Sequence, residues 1–233
     1  MPWIDPIEDY AAPPRLSRQV GGIETWDGTY DGDDGILRLE GVAIDRATVT
    51  AEAGDLVELL NVSLSQARLE TDGSGRLDII DCVLTDCDLS RASIGTLRGS
   101  RLIGCKLAGT DMAERTIRDC MFERCTLTYA NLRMTTFVRV SMTNCRLDET
   151  DISGANLEDV TFAGSELIAV NTDRCRFERV DLRWTNGLDL TTPTNLGGCL
   201  IDDTQVLELA YRLALLAGAT IERDPSPPDP TAT

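Results

Sequence analysis

The sequence predicts an all-β solenoid, a chain wound into stacked coils with five residues per side. Three observations predict it. The first is a column of large residues at every fifth position: Leu97, Leu102, Leu107, Met112, Ile117, Phe122, Leu127, Leu132, Phe137, Met142, Leu147, Ile152, Leu157, Phe162, Leu167, Thr172, Phe177 and Leu182, all apolar but Thr172. The second is a companion column two residues earlier, including Cys105, Thr110, Cys120, Cys125, Ala130, Cys145, Ala155 and Cys175, in which every member except Arg115 is small or β-branched. The third is a negative: neither a 3.6-residue nor a 2-residue period brings positions five apart to equivalent inward sites over such a length. One large and one small residue per side suit a narrow interior whose coils lie about 4.8 Å apart.

Taken along the chain, residues 1–38 stand outside the period and carry Trp3, Tyr10, Trp26 and Tyr30, aromatic area suited to capping the first coil. Residues 39–186 carry the repeat. Its first part places Leu39, Ile44, Val49, Gly54, Leu59, Leu64, Leu69, Ser74, Ile79, Leu84, Leu89 and Ile94 in the large column, and the step from Ile94 to Leu97 slips the frame. Thr71 to Arg76, with two Gly, keeps the count but loses the chemistry, and reads as a distorted corner or an outward loop. Arg115 sits in the small column and calls for a local bulge, since a buried guanidinium needs a partner. Within residues 187–223, Asp202-Asp203-Thr204-Gln205 reads as a capping box that opens a helix to about Ala217, with Gly218 as its stop. That helix is apolar almost all round, which predicts burial on more than one side and marks Leu207, Tyr211 and Leu215 as a dimer interface. Residues 224–233, rich in Pro, read as a disordered tail.

The units Ala130-Asn131-Leu132-Arg133-Met134, Ala155-Asn156-Leu157-Glu158-Asp159 and Cys87-Asp88-Leu89-Ser90-Arg91 resemble the A(D/N)LXX unit of the pentapeptide repeat family. The resemblance implies a right-handed quadrilateral parallel β-helix of about seven coils, roughly 35 Å long at the usual strand spacing. The core ladder is then expected at Leu102, Leu107, Phe122, Leu127, Leu132, Phe137, Leu147, Leu157 and Phe162, with Cys105, Cys125 and Cys145 stacked on one wall as small buried filler in place of a thiolate site. Several members of the family dimerise through a C-terminal helical module, and the best-known family activity is modulation or protection of DNA gyrase by an acidic rod that imitates DNA.

Composition restricts the function. The absence of His removes Ser-His-Asp and Cys-His nucleophile pairs and His-ligated metals. No catalytic residue, cofactor or metal site is expected, and adjacent acids such as Asp148 and Glu149 read as a wet face. The net charge of −17 disfavours direct nucleic-acid or membrane binding. The N-terminus lacks a signal-peptide pattern, and a cytoplasmic location follows from that reading. A DNA mimic of ~35 Å needs on the order of twenty charges. Residues 39–94 carry a net −7, whereas residues 95–186 are neutral. A non-catalytic scaffold for an unidentified protein partner is therefore the leading expectation, and gyrase modulation the second.

Overall fold

The structure, a computed structural model, describes the backbone of residues 24–25 together with residues 35–51, 53–192 and 195–221. The expected N-terminal aromatic cap and the expected tail from 224 lie outside these residues. The chain is a parallel β-solenoid that ends in one helix, and its inward residues form four walls. Wall 1 stacks Leu39, Leu59, Ile79, Leu97, Ile117, Phe137, Leu157 and Phe177 in register, eight rungs in all. Wall 2 stacks Ile44, Leu64, Leu84, Leu102, Phe122 and Met142. Leu69, Leu89, Leu107, Leu127, Leu147 and Leu167 line wall 3, and Ile94, Met112, Leu132 and Ile152 line wall 4. Eight rungs, against the seven coils expected, still make a rod of roughly 35 Å at the usual strand spacing.

The corners have a conformational rule that hydropathy alone does not show. From Gly41 to Trp184 the residue two places after each large inward residue has a positive φ, except at Ala51, Thr71 and Thr96, and at nineteen of these corners it is not Gly. On walls 3 and 4 the corner closes with a turn bond, as in Ala130 N–H to Leu127 O at 3.0 Å and Ala155 N–H to Ile152 O at 2.9 Å. A turn of this kind requires the left-handed region at its third residue. Each non-Gly corner costs on the order of 1 kcal/mol, which the inter-coil hydrogen bonds and the filled interior must offset.

The frame slip has a structural cause. In the first coils the chain leaves wall 3 along Thr48–Ala51 and Arg68–Thr71, turns outward, and returns to wall 1 at Leu56 and Arg76. Gly54 and Ser74, read from the sequence as inward, are exposed at the tips of these excursions, and Ala51 and Gly75 are buried instead. The next coil omits the excursion: Arg68 bridges Asp88 twenty residues on, while Asp78 pairs with Thr96 only eighteen on. Two residues are saved, and Ile94 drops inward. Arg115 is also corrected: it is exposed where Thr135 and Ala155 on the following rungs are buried, so no buried charge has to be matched.

At the two ends the ladder is longer than the period. Ile36–Arg38, assigned above to the flank, open the first wall 1 strand, Ile36–Glu40. Beyond residue 186, Leu188 pairs with Leu167, and Cys199–Leu200 pairs with Val180–Asp181. The helix α1 runs Asp203–Leu216 with Asp202 as its cap.

Candidate interaction surface

The interior is fully committed to packing. Leu102, Leu107, Phe122, Leu127, Leu132, Phe137, Leu147, Leu157 and Phe162 are all buried, as are Cys105, Cys125 and Cys145. All eight cysteines are free, and only Cys199 is less than fully buried. The small column proves to do more than fill space. Cys125 Sγ reaches Leu102 O at 3.4 Å and Glu123 O at 3.6 Å. Thr150 Oγ1 donates to Leu127 O at 2.8 Å, and Ser165 Oγ to Met142 O at 3.0 Å. In each case a thiol or hydroxyl donates to the carbonyl of a large inward residue twenty-three positions earlier. The sequence signal was present, since the column mixes Cys, Ser and Thr, but size alone does not disclose a donor.

Burial sets the chemistry of these thiols. It pushes Cys82 and Cys175 up to about 11, and Cys120 and Cys199 up to about 12. Cys87, Cys105, Cys125 and Cys145 also influence one another along wall 3. The neighbouring Cys125 thiol, together with burial, carries Cys105 to about 12. Cys145, at the end of the row, is instead lowered, chiefly by its interaction with the neighbouring Cys125 thiol. Sealed, protonated thiols of this kind are poor nucleophiles and poor metal ligands. Among the described residues no group of three or more Cys, Asp or Glu is placed to hold a metal ion.

Outside, the rod is a set of charge rows. On the corner between walls 1 and 2, Arg139 grips Asp119 twenty residues earlier at 2.6 and 2.8 Å, and Arg179 grips Asp159 at 2.5 and 3.1 Å. On wall 4, Asp111, Asn131, Asp151 and Asn171 stack in successive coils, with Asn131 Nδ2 donating to Asp111 Oδ1 at 2.8 Å. Asp151 and Asn171 also accept the backbone N–H two residues on. This is the reason the unit favours Asp or Asn before its large residue: the side chain braces the coming corner.

The C-terminal end differs. α1 is fastened to the last coil by a few groups. The Asp202 carboxylate accepts N–H groups from Trp184 at 3.1 Å, Thr204 at 3.0 Å and Gln205 at 3.1 Å, and the Trp184 bond, with that of Gln205, holds it below its ordinary range. Buried Gln205 donates to Leu182 O and to Thr185 Oγ1, and returns a bond to Asp202 N–H at 2.9 Å. Leu209 is buried beside it, and Arg212 pairs with Asp189. The rest of the helix is uncovered: Leu207 is 72% exposed, Tyr211 40% and Leu215 44%, joined by Val206, Leu213 and Leu216. Leu207, Glu208, Tyr211 and Arg212 form one side of a groove of about 490 Å³, with Gly187, Leu188 and Asp189 on the other.

A wound core of five-residue sides, Asx-braced corners and donors to the inward carbonyls coincide with the span matched by one protein family: the sequence model described as Pentapeptide repeat region covers residues 95–172. The chain carries a pentapeptide repeat region. The match begins where the frame slip ends, so it falls on the regular coils. The curated proteins give no match. Among solved structures, a trypsin-treated variant of QnrB1, a plasmid-mediated fluoroquinolone resistance protein, is 21% identical, with 77% of this chain and 100% of that one covered at a TM-score of 0.35. HetL, a pentapeptide repeat protein involved in heterocyst differentiation regulation from Nostoc sp. strain PCC 7120, is 16% identical, with 72% and 90% covered at 0.26. Rfr23, a pentapeptide repeat protein from Cyanothece 51142, is 14% identical, with 73% and 93% covered at 0.18.

Proposed function

We propose that this pentapeptide repeat protein is a non-catalytic scaffold that presents flat, charge-patterned walls to another protein and pairs with a second copy of itself through α1. The observation that carries the reading is the division of labour in the chain: the coils bury most of their apolar residues and expose only scattered ones such as Tyr129, Met134 and Trp184, whereas six exposed apolar or aromatic residues are gathered on the single helix α1. Exposed Leu207, Tyr211 and Leu215 on one short helix are a surface that association would cover. Residues 1–38 and 187–223 act in this reading as the two ends of the rod, the second also as the pairing module. A cytoplasmic setting suits eight unpaired cysteines. Light scattering on the eluting protein tests the pairing: a dimer at micromolar concentration, converted to monomer by L207E, supports it, and a monomeric parent removes it.

A second reading, gyrase modulation by imitation of DNA, draws support from the repeat fold and from the net −7 of residues 39–94. The regular coils support it less, because Asp119, Asp159 and Asp181 are already held by Arg139, Arg179 and Arg183. A supercoiling assay decides it. Inhibition of gyrase, or relief from a gyrase poison, at micromolar protein supports the reading, and no effect in either assay ends it.

A further inference from the structure

Three pairs of like charges face each other in strand register on the outside of wall 1. Two are acidic, Glu58 opposite Asp78 and Glu158 opposite Glu178. Like charges across adjacent strands are destabilising, and both acidic pairs are compensated. Glu58 is held by Arg38 at 2.6 Å and Asp78 by Arg76 at 3.5 Å. Arg179 spans both members of the other pair, Glu158 at 3.0 Å and Glu178. The third pair is Arg98 opposite Arg118. Among the described residues, no carboxylate lies within ion-pair distance of either guanidinium. The pair sits mid-rod, Arg98 exposed and Arg118 half-buried, with half-buried Ile80 on the rung before and buried Val138 on the rung after.

The geometry points to a docking site: we propose that Arg98 and Arg118 receive an acidic side chain, with an apolar neighbour, from a protein partner. Two guanidinium forks carried in strand register match the two oxygens of a carboxylate, which supplies the compensation that the chain gives both acidic pairs from within. Half-buried Ile80 offers apolar contact on one side along the rod axis. The same wall argues against a polyanion, because the arginines on either side of this pair along the rod, Arg38 and Arg76 before it and Arg179 after it, are already engaged with Glu58, Asp78, Glu158 and Glu178, which leaves no row of free cations for an extended run of phosphates. The proposal rests on the scaffold reading and gives its partner a chemistry.

The test follows the side-chain Nε–Hε signals of both arginines by NMR during titration with the peptide acetyl-Val-Glu-Glu-Val-amide and its Gln-for-Glu counterpart. The expected result is a saturable shift with the acidic peptide, at least about tenfold weaker with the neutral one, and lost in R98E. R98Q serves the same purpose if R98E fails to fold. An equal response to both peptides, no response, or tighter binding of a short DNA duplex overturns the proposal. R118E, which completes an ion pair across the strands, is expected to raise Tm by a few degrees. A lowered Tm in R118E also overturns it. A protein partner that binds the parent chain and R98E equally removes this site and leaves the scaffold reading standing. A chain that binds no protein partner at all removes both.

Discussion

Cys125 has two carbonyls within reach of its thiol and sits with almost no solvent contact, so its side chain has both a volume and a donor to replace. Ser165, Thr135 and Thr150 hold equivalent places, which shows that an oxygen donor fits the same slot. Cys125→Ser is therefore expected to cost no more than about 1 kcal/mol, while Cys125→Ala, which leaves the carbonyl unmatched and a void, costs about 1–3 kcal/mol. Urea unfolding of the two variants reads the difference, and equal losses would show that volume alone matters. Gly198 is a sharper case. It adopts φ +88°, and a Cβ there would lie 2.1 Å from Phe177 O, a backbone atom that cannot rotate away. Gly198→Ala is expected to destabilise the last coil by about 1–3 kcal/mol, measured by the same unfolding.

The elements were legible to different degrees. The five-residue period places the inward ladder because each large residue has the same task on every coil, and Asp202 with Gln205 marks the helix start through the two bonds that define a capping box. Gly54 and Ser74 were misplaced because a constant count does not distinguish an inward corner from a two-residue excursion outward. That Gln205 anchors α1 to the coil was not legible either, since its partner Leu182 O is a backbone atom twenty-three residues away. Gln205→Leu is expected to cost about 1–3 kcal/mol by stranding that carbonyl, and to release the helix. Limited trypsin digestion checks it, with faster cleavage at Arg212 as the expected sign and an unchanged rate as the contrary one. The Arg98 and Arg118 pair is spelled out in the sequence, but its meaning depends on a strand register only eighteen to twenty residues long, which the slip obscures.

For the whole molecule, stability is tied to thiol protonation. The fold raises most of its thiols above the ordinary value of 9, to about 11 or 12. The native state therefore holds these protons more tightly than the unfolded chain, so this contribution is complete below pH 9 and is lost as pH rises toward 12. Tm is expected to fall across that window, and the fall should be shallower when Cys82 and Cys120 are replaced by Ala. A flat profile in the parent protein contradicts this. The corner rule has a further consequence for how such a rod changes length. Because four walls recur only after a complete circuit, loss or duplication of one twenty-residue lap, such as Ile117 to Thr136, returns every later side chain to its own wall. Removing a single five-residue side turns everything downstream by a quarter, carrying the Asx row, the thiols and the helix to the wrong flanks. Lineages of such rods are thus free to lengthen by full windings and are held rigidly to them.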